Sequence, residues 1–210
     1  MFPFIFDPTF MVLIPALVLS IWAQARIRSA FGRYSEVRAR RGVTARDAAR
    51  AILDSNGLSD VPVERVQGAL TDHYDPRKKV LRLSDNVYGS PSIAAIGVAA
   101  HEAGHAIQDA RGYAPLRLRN SFVAVAGLGS SLALPLFFIG FLFSNPTMMN
   151  VGILFFVAVL LFHLVTLPVE IDASRRALSI LSSSGLLATD EIGGAKAVLN
   201  AAALTYVAAT

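Results

Sequence analysis

Apolar and polar positions are segregated along this chain rather than interleaved. Residues 8–24, PTFMVLIPALVLSIWAQ, carry no charge, and 120–150 and 151–169 are equally uncharged apart from His163. Spans over 8–24, about 120–143 and about 151–169 each come close to the ~20 apolar residues that a helix needs to cross a bilayer, so the pattern predicts three membrane spans. GAKAVLNAAALTYVAAT (194–210) reads as the start of a fourth, partial span. Residues 25–119 are instead rich in Arg, Asp, Glu and Lys, and this stretch has the size of a small soluble domain. The pattern divides the chain into a first span (1–24), a polar domain (25–119), a two-helix membrane hairpin (120–169) and a final segment (170–210).

Within the polar domain the first span is expected to continue as a helix to Gly42. A second helix follows over 43–57, with Thr44 as N-cap, Asp47 in the first turn and Gly57 as the stop. VPVERVQ (61–67) reads as a short strand. A hairpin is expected with strands near 68–73 and 79–84, its turn marked by Asp75 and Pro76. SPSIAAIGVAAHEAGHAIQDARG then predicts a helix over about 92–111, capped by Ser90 or Ser92, with Pro91 near its start and Gly112 closing it. The fold class is therefore a mainly α membrane protein of three to four spans with a small α+β domain.

Charge orients this arrangement. The basic residues Arg26, Arg28, Arg33, Arg38, Arg40 and Arg41 follow the first apolar run, and only Asp7 precedes it. That order is the reverse of a secretory signal. It predicts an uncleaved, multi-pass anchor whose polar domain faces the cytoplasm. The uncharged SNPTMMN turn (144–150) falls outside, and Arg175 and Arg176 return to the cytoplasmic side. The isoelectric point near 9.8 reflects this basic zone beside anionic headgroups; without interleaved aromatic residues it excludes nucleic acid as a partner. The absence of cysteine excludes disulfides and thiolate metal sites. So few intramembrane charges also argue against a channel or transporter.

The candidate chemistry lies in HEAGH, residues 101–105. On a helix, positions i and i+4 lie about 40° apart, so His101 and His105 leave one face and can share one metal ion. Glu102 is displaced to the side, where it can act as general base toward a water. Ala103 and Gly104 are small and are expected to leave room for metal and substrate. A catalytic zinc takes three protein ligands, so the third is His73, His163, Asp109, Asp172 or Glu170. Glu170 is favoured: it follows the third span at Pro168, on the side predicted for HEAGH. Asp172 is assigned to another face, Asp109 to a supporting or solvated role, and His163 to the bundle lining. Two functions fit: a zinc peptidase, or a non-catalytic zinc-binding membrane scaffold that would not need Glu102.

Longer blocks carry more information than the motif. DPTF with LIPAL, LTDHYDPRKKVLRLSDNVY, GVAAHEAGHAIQDARGYAPLRLR, LVTLPVEIDASRRAL and AKAVLNAAALTYVAA resemble the YugP-type family of bacterial membrane zinc metallopeptidases over nearly the whole chain. The resemblance implies a protein of the bacterial inner membrane that binds one zinc per chain and cleaves polypeptides, membrane-embedded or membrane-proximal ones by its location. A more distant similarity to the HtpX and CAAX-prenyl protease group of gluzincins places Glu170 at the ligand position of EIDAS. Ser174 stands where that group has an aspartate that steadies a zinc-bound histidine, a departure expected to weaken the support of the site. Such a fold also implies strand addition of substrate along KVLRLSD or ALTDH, and an oxyanion donor for which His73, Tyr88 and Asn200 are the candidates.

Overall fold

The chain is described by a computed structural model over residues 8–210; the first seven residues of the expected first span lie outside the described residues. In chain order the elements are helices α1 (Pro8–Ser35) and α2 (Ala45–Ser55), strands β1 (Val63–Val66), β2 (His73–Asp75) and β3 (Val80–Ser84), and the short helix α3 (Asp85–Tyr88). Helices α4 (Ile93–Ala110), α5 (Ala114–Leu142), α6 (Pro146–Ser184) and α7 (Ile192–Ala208) follow. Two compact units divide the chain, Met1–Gln108 with Ile171–Ala209, and Asp109–Glu170.

In the first unit, α2 forms as its capping chemistry dictates. The Thr44 hydroxyl accepts from the Asp47 amide at 3.2 Å, and Ala45, Ala48, Ala49, Ile52 and Leu53 make one buried stripe. Helix α4 is buried on nearly all sides, because Ala, Ile, Gly and Val give it no polar face. Its core neighbours include Ile52, Leu53, Leu81, Leu83 and Leu181. Ser92 is its cap, accepting from the Ala95 amide at 3.2 Å, so Pro91 precedes the helix rather than opening it. Helix α1 stops at Ser35 instead of reaching Gly42. The segment that follows gives up helical bonds for others: Ala39 donates to the Pro91 carbonyl and Ile93 to the Val37 carbonyl, both at 2.9 Å. Helix α1 also packs against α7.

The hairpin is present, but its first strand is His73–Asp75 rather than 68–73, so ALTDH is loop except for His73; the turn is held by Asp75, which accepts from the Arg77 and Lys78 amides. The Lys78 amide is the main reason that the Asp75 carboxyl lies below the usual carboxylate range. Strand order is β1-β3-β2, with β3 parallel to β1 and antiparallel to β2. KVLRLSD is therefore the central strand and has no edge for substrate; β2, beginning at His73, is an edge.

The second unit is built from α5 and the first part of α6. A Cβ on Gly152 would lie 2.7 Å from both the Ala133 carbonyl oxygen and the Phe137 nitrogen, so glycine lets the two backbones touch. Asn145 closes the turn, its side chain accepting from the Met148 amide at 3.2 Å. Among the described residues, α5 and α6 are long and apolar enough to cross a membrane, and their apolar side chains face outward: Leu154 is 68% exposed and Phe138 61%. Helix α6 runs unbroken through Pro168.

Candidate metal centre

His101 and His105 lie one turn apart on α4, with ring centroids 4.7 Å apart and planes at 83°. Both rings are held through Nδ1. The Ser174 hydroxyl lies 3.1 Å from His101 Nδ1, and Gln108 Oε1 lies 3.0 Å from His105 Nδ1. The amide of Gln108 is itself oriented, because its Nε2 donates to Asp172 at 2.8 Å. Asp172 in turn accepts from Arg176 Nε. Oε1 can only accept, so His105 carries its proton on Nδ1 and keeps its lone pair on Nε2, the form that ligates a metal.

Glu170 supplies the third group. It directly precedes Ile171 on unbroken α6, one turn before Ser174, and is 3% exposed. One ligand atom from each of His101, His105 and Glu170 lies within 4.8 Å of the others. These residues would hold a zinc ion, whose bonds to such donors are about 2.0–2.2 Å. The donor set fits zinc in kind as well: two imidazoles, each held at Nδ1 by a polar side chain, and a carboxylate whose burial favours a cation beside it.

Glu102 is also buried, at 9% exposure, and does not belong to that triplet. Its Oε2 accepts from the backbone amide of Tyr74 on β2 at 3.0 Å. The edge strand thereby fixes the carboxylate next to His101. A cleft of about 380 Å³ opens here, lined by His101 and Glu102 together with residues of α1, α7 and the loop before β2.

The residues around the triplet refine the expectations. Gly104 is small where α4 packs on α6: a Cβ there would sit 2.8 Å from the Ala173 carbonyl oxygen. Asp172 stays outside the triplet but reaches His105 through Gln108. Ser174, where an aspartate was expected, still places a hydroxyl 3.1 Å from His101 Nδ1. Of the proposed oxyanion donors, none lines the cleft. His73 is exposed and pairs with the Thr71 carbonyl at 2.7 Å. Tyr88 stacks under Arg46, and Asn200 is exposed on α7. His163 meets the Phe162 ring edge-on in α6. Gln108, Tyr74 and the cleft residue Tyr206 carry no signal in the sequence, since such residue types are common and only contact assigns them a role.

Two imidazoles and a carboxylate, with a second carboxylate held alongside, are what zinc-dependent hydrolases are built from. Comparison with known proteins gives the same class: residues 9–210 match the family described as "Putative neutral zinc metallopeptidase", and the chain belongs to that family. It is similar to "Putative membrane protease YugP" of Bacillus subtilis (strain 168), with 50% identity over 196 residues, covering 93% of this chain and 87% of the relative. No solved structure matches the chain.

Proposed function

We propose that this chain is a membrane-anchored, gluzincin-like zinc endopeptidase, with His101, His105 and Glu170 as metal ligands and Glu102 as general base. The observation that carries the reading is the convergence of those three ligand groups, with ligand atoms within 4.8 Å of one another. Bound zinc would polarise the scissile carbonyl and acidify a water. Glu102 takes the proton of the attacking water and returns it to the leaving amine. The Tyr74 amide holds that carboxylate in place, Gln108 keeps His105 in the ligating tautomer, and Ser174 holds the ring of His101. The positive-inside pattern supports a cytoplasm-facing site at the membrane surface, where polypeptides in or near the bilayer are the substrates at hand.

The test is a pair of full-length proteins in detergent. Glu102→Gln is expected to keep one zinc per chain by elemental analysis and to lose about 10²–10⁴-fold in peptide hydrolysis. Equal cleavage by both proteins would remove Glu102 from the chemistry. Zinc at one per chain with no Glu102-dependent cleavage would favour a zinc-binding scaffold instead.

A further inference from the structure

The cleft beside Glu102 carries a signature of what it holds. Its walls are Ile27 and Phe31 of α1, Val98 of α4, and Ala202 and Tyr206 of α7, with Leu70 at the loop before β2. The charges that share the lining do not make it a polar site. Both oxygens of Asp72 are committed to Ser84, at 2.8 Å to the amide and 2.9 Å to the hydroxyl, and Arg28 is exposed.

Leu70 is the telling residue. It is 81% exposed and has φ +60°, a left-handed conformation that a bulky side chain rarely adopts. The loop around it is pinned: Gly68 donates to Asp85 at 3.2 Å, the Thr71 hydroxyl donates to the Gln67 carbonyl at 3.1 Å, and Asp72 is tied to Ser84. Folding alone gains nothing from holding a leucine in solvent on a strained backbone, so the placement points to function.

On the reading of the site as a peptidase, we infer that this cleft is a specificity pocket. It takes a large aliphatic or aromatic side chain of the polypeptide being cut, at a residue flanking the scissile bond, with Leu70 as its apolar lip. The occupant follows from continuity: His101 and Glu102 form part of the same wall, so a side chain filling the cleft brings its own backbone to the reacting groups.

The test uses zinc-loaded full-length protein and peptides that differ only in Phe or Ser at the residues flanking the cleaved bond. Wild type is expected to prefer Phe about 100-fold in kcat/KM. Leu70→Asn, which suits the left-handed backbone, is expected to cut that preference about tenfold, chiefly through KM, with the melting temperature unchanged or raised. Ala202→Leu, which narrows the cleft, shifts preference from Phe toward Val. Fluorescence anisotropy on Glu102→Gln should show tighter binding of the Phe peptide without any turnover. Glu102-dependent cleavage with no preference for Phe overturns the pocket and leaves the peptidase reading standing. A Leu70→Asn protein with full preference and a lowered melting temperature makes Leu70 structural and overturns its role as lip. Absence of Glu102-dependent cleavage overturns both readings.

Discussion

In the proposed site, a single amide sets the tautomer in which His105 would meet a metal. Gln108 is fully buried and stands between His105 and the Asp172–Arg176 pair. Without it, the imidazole loses the acceptor that fixes its proton on Nδ1. Gln108→Ala is expected to weaken zinc binding about 10–100-fold, read by competition with a chromophoric chelator, while Asp172 keeps its bond to Arg176. Ser174→Ala should act in the same direction through His101. At this scale the sequence points to candidate ligands and is silent about their supports. His101, Glu102 and His105 stand out by type and spacing, because few side chains bind metals or move protons, and Glu170 stands out by its place after the third apolar run. Ser174 and Gln108 are ordinary polar residues, and their value comes from where α6 lies.

At the scale of elements, the crossing of α4 over the later part of α6 is what positions the imidazole supports. Gly104 meets the Ala173 carbonyl without a Cβ between them, and that close approach lets Ser174 reach His101. Gly104→Ala pushes a methyl group to 2.8 Å from a backbone oxygen, and a backbone must move. The expected result is a loss of about 1–3 kcal/mol in stability, read as a lower melting temperature in detergent, together with weaker zinc binding. Helix identities were legible because caps and periodicity are local. Thr44 and Gly57 bound α2 as their residue types require. Strand order was not legible, since the parallel pairing of β1 with β3 is a long-range choice that only the burial of Leu81 and Leu83 settles. The end of α1 was missed for the same reason: the bonds that replace its helical ones run to Pro91 and Ile93 at the start of α4, far along the chain.

For the molecule as a whole, the proposed orientation makes a prediction that the composition renders easy to test. The chain has no cysteine, so one introduced thiol reports one position. Thr147→Cys, in the uncharged turn that opens α6, is expected to react with a membrane-impermeant maleimide in intact cells. Lys78→Cys, in the β2–β3 turn, should react only after permeabilisation. The reverse pattern would put the metal centre on the outer side. On the proposed ligand set, the order of groups along the chain has a further consequence. The two histidines and the base are synthesised early, whereas the last ligand follows both the whole of α5 and the apolar part of α6, and one wall of the cleft waits for α7. A growing chain with this ligand set is therefore disarmed as a protease while its first apolar helices thread through the insertion machinery, and becomes able to cut only after α5, α6 and α7 have been made.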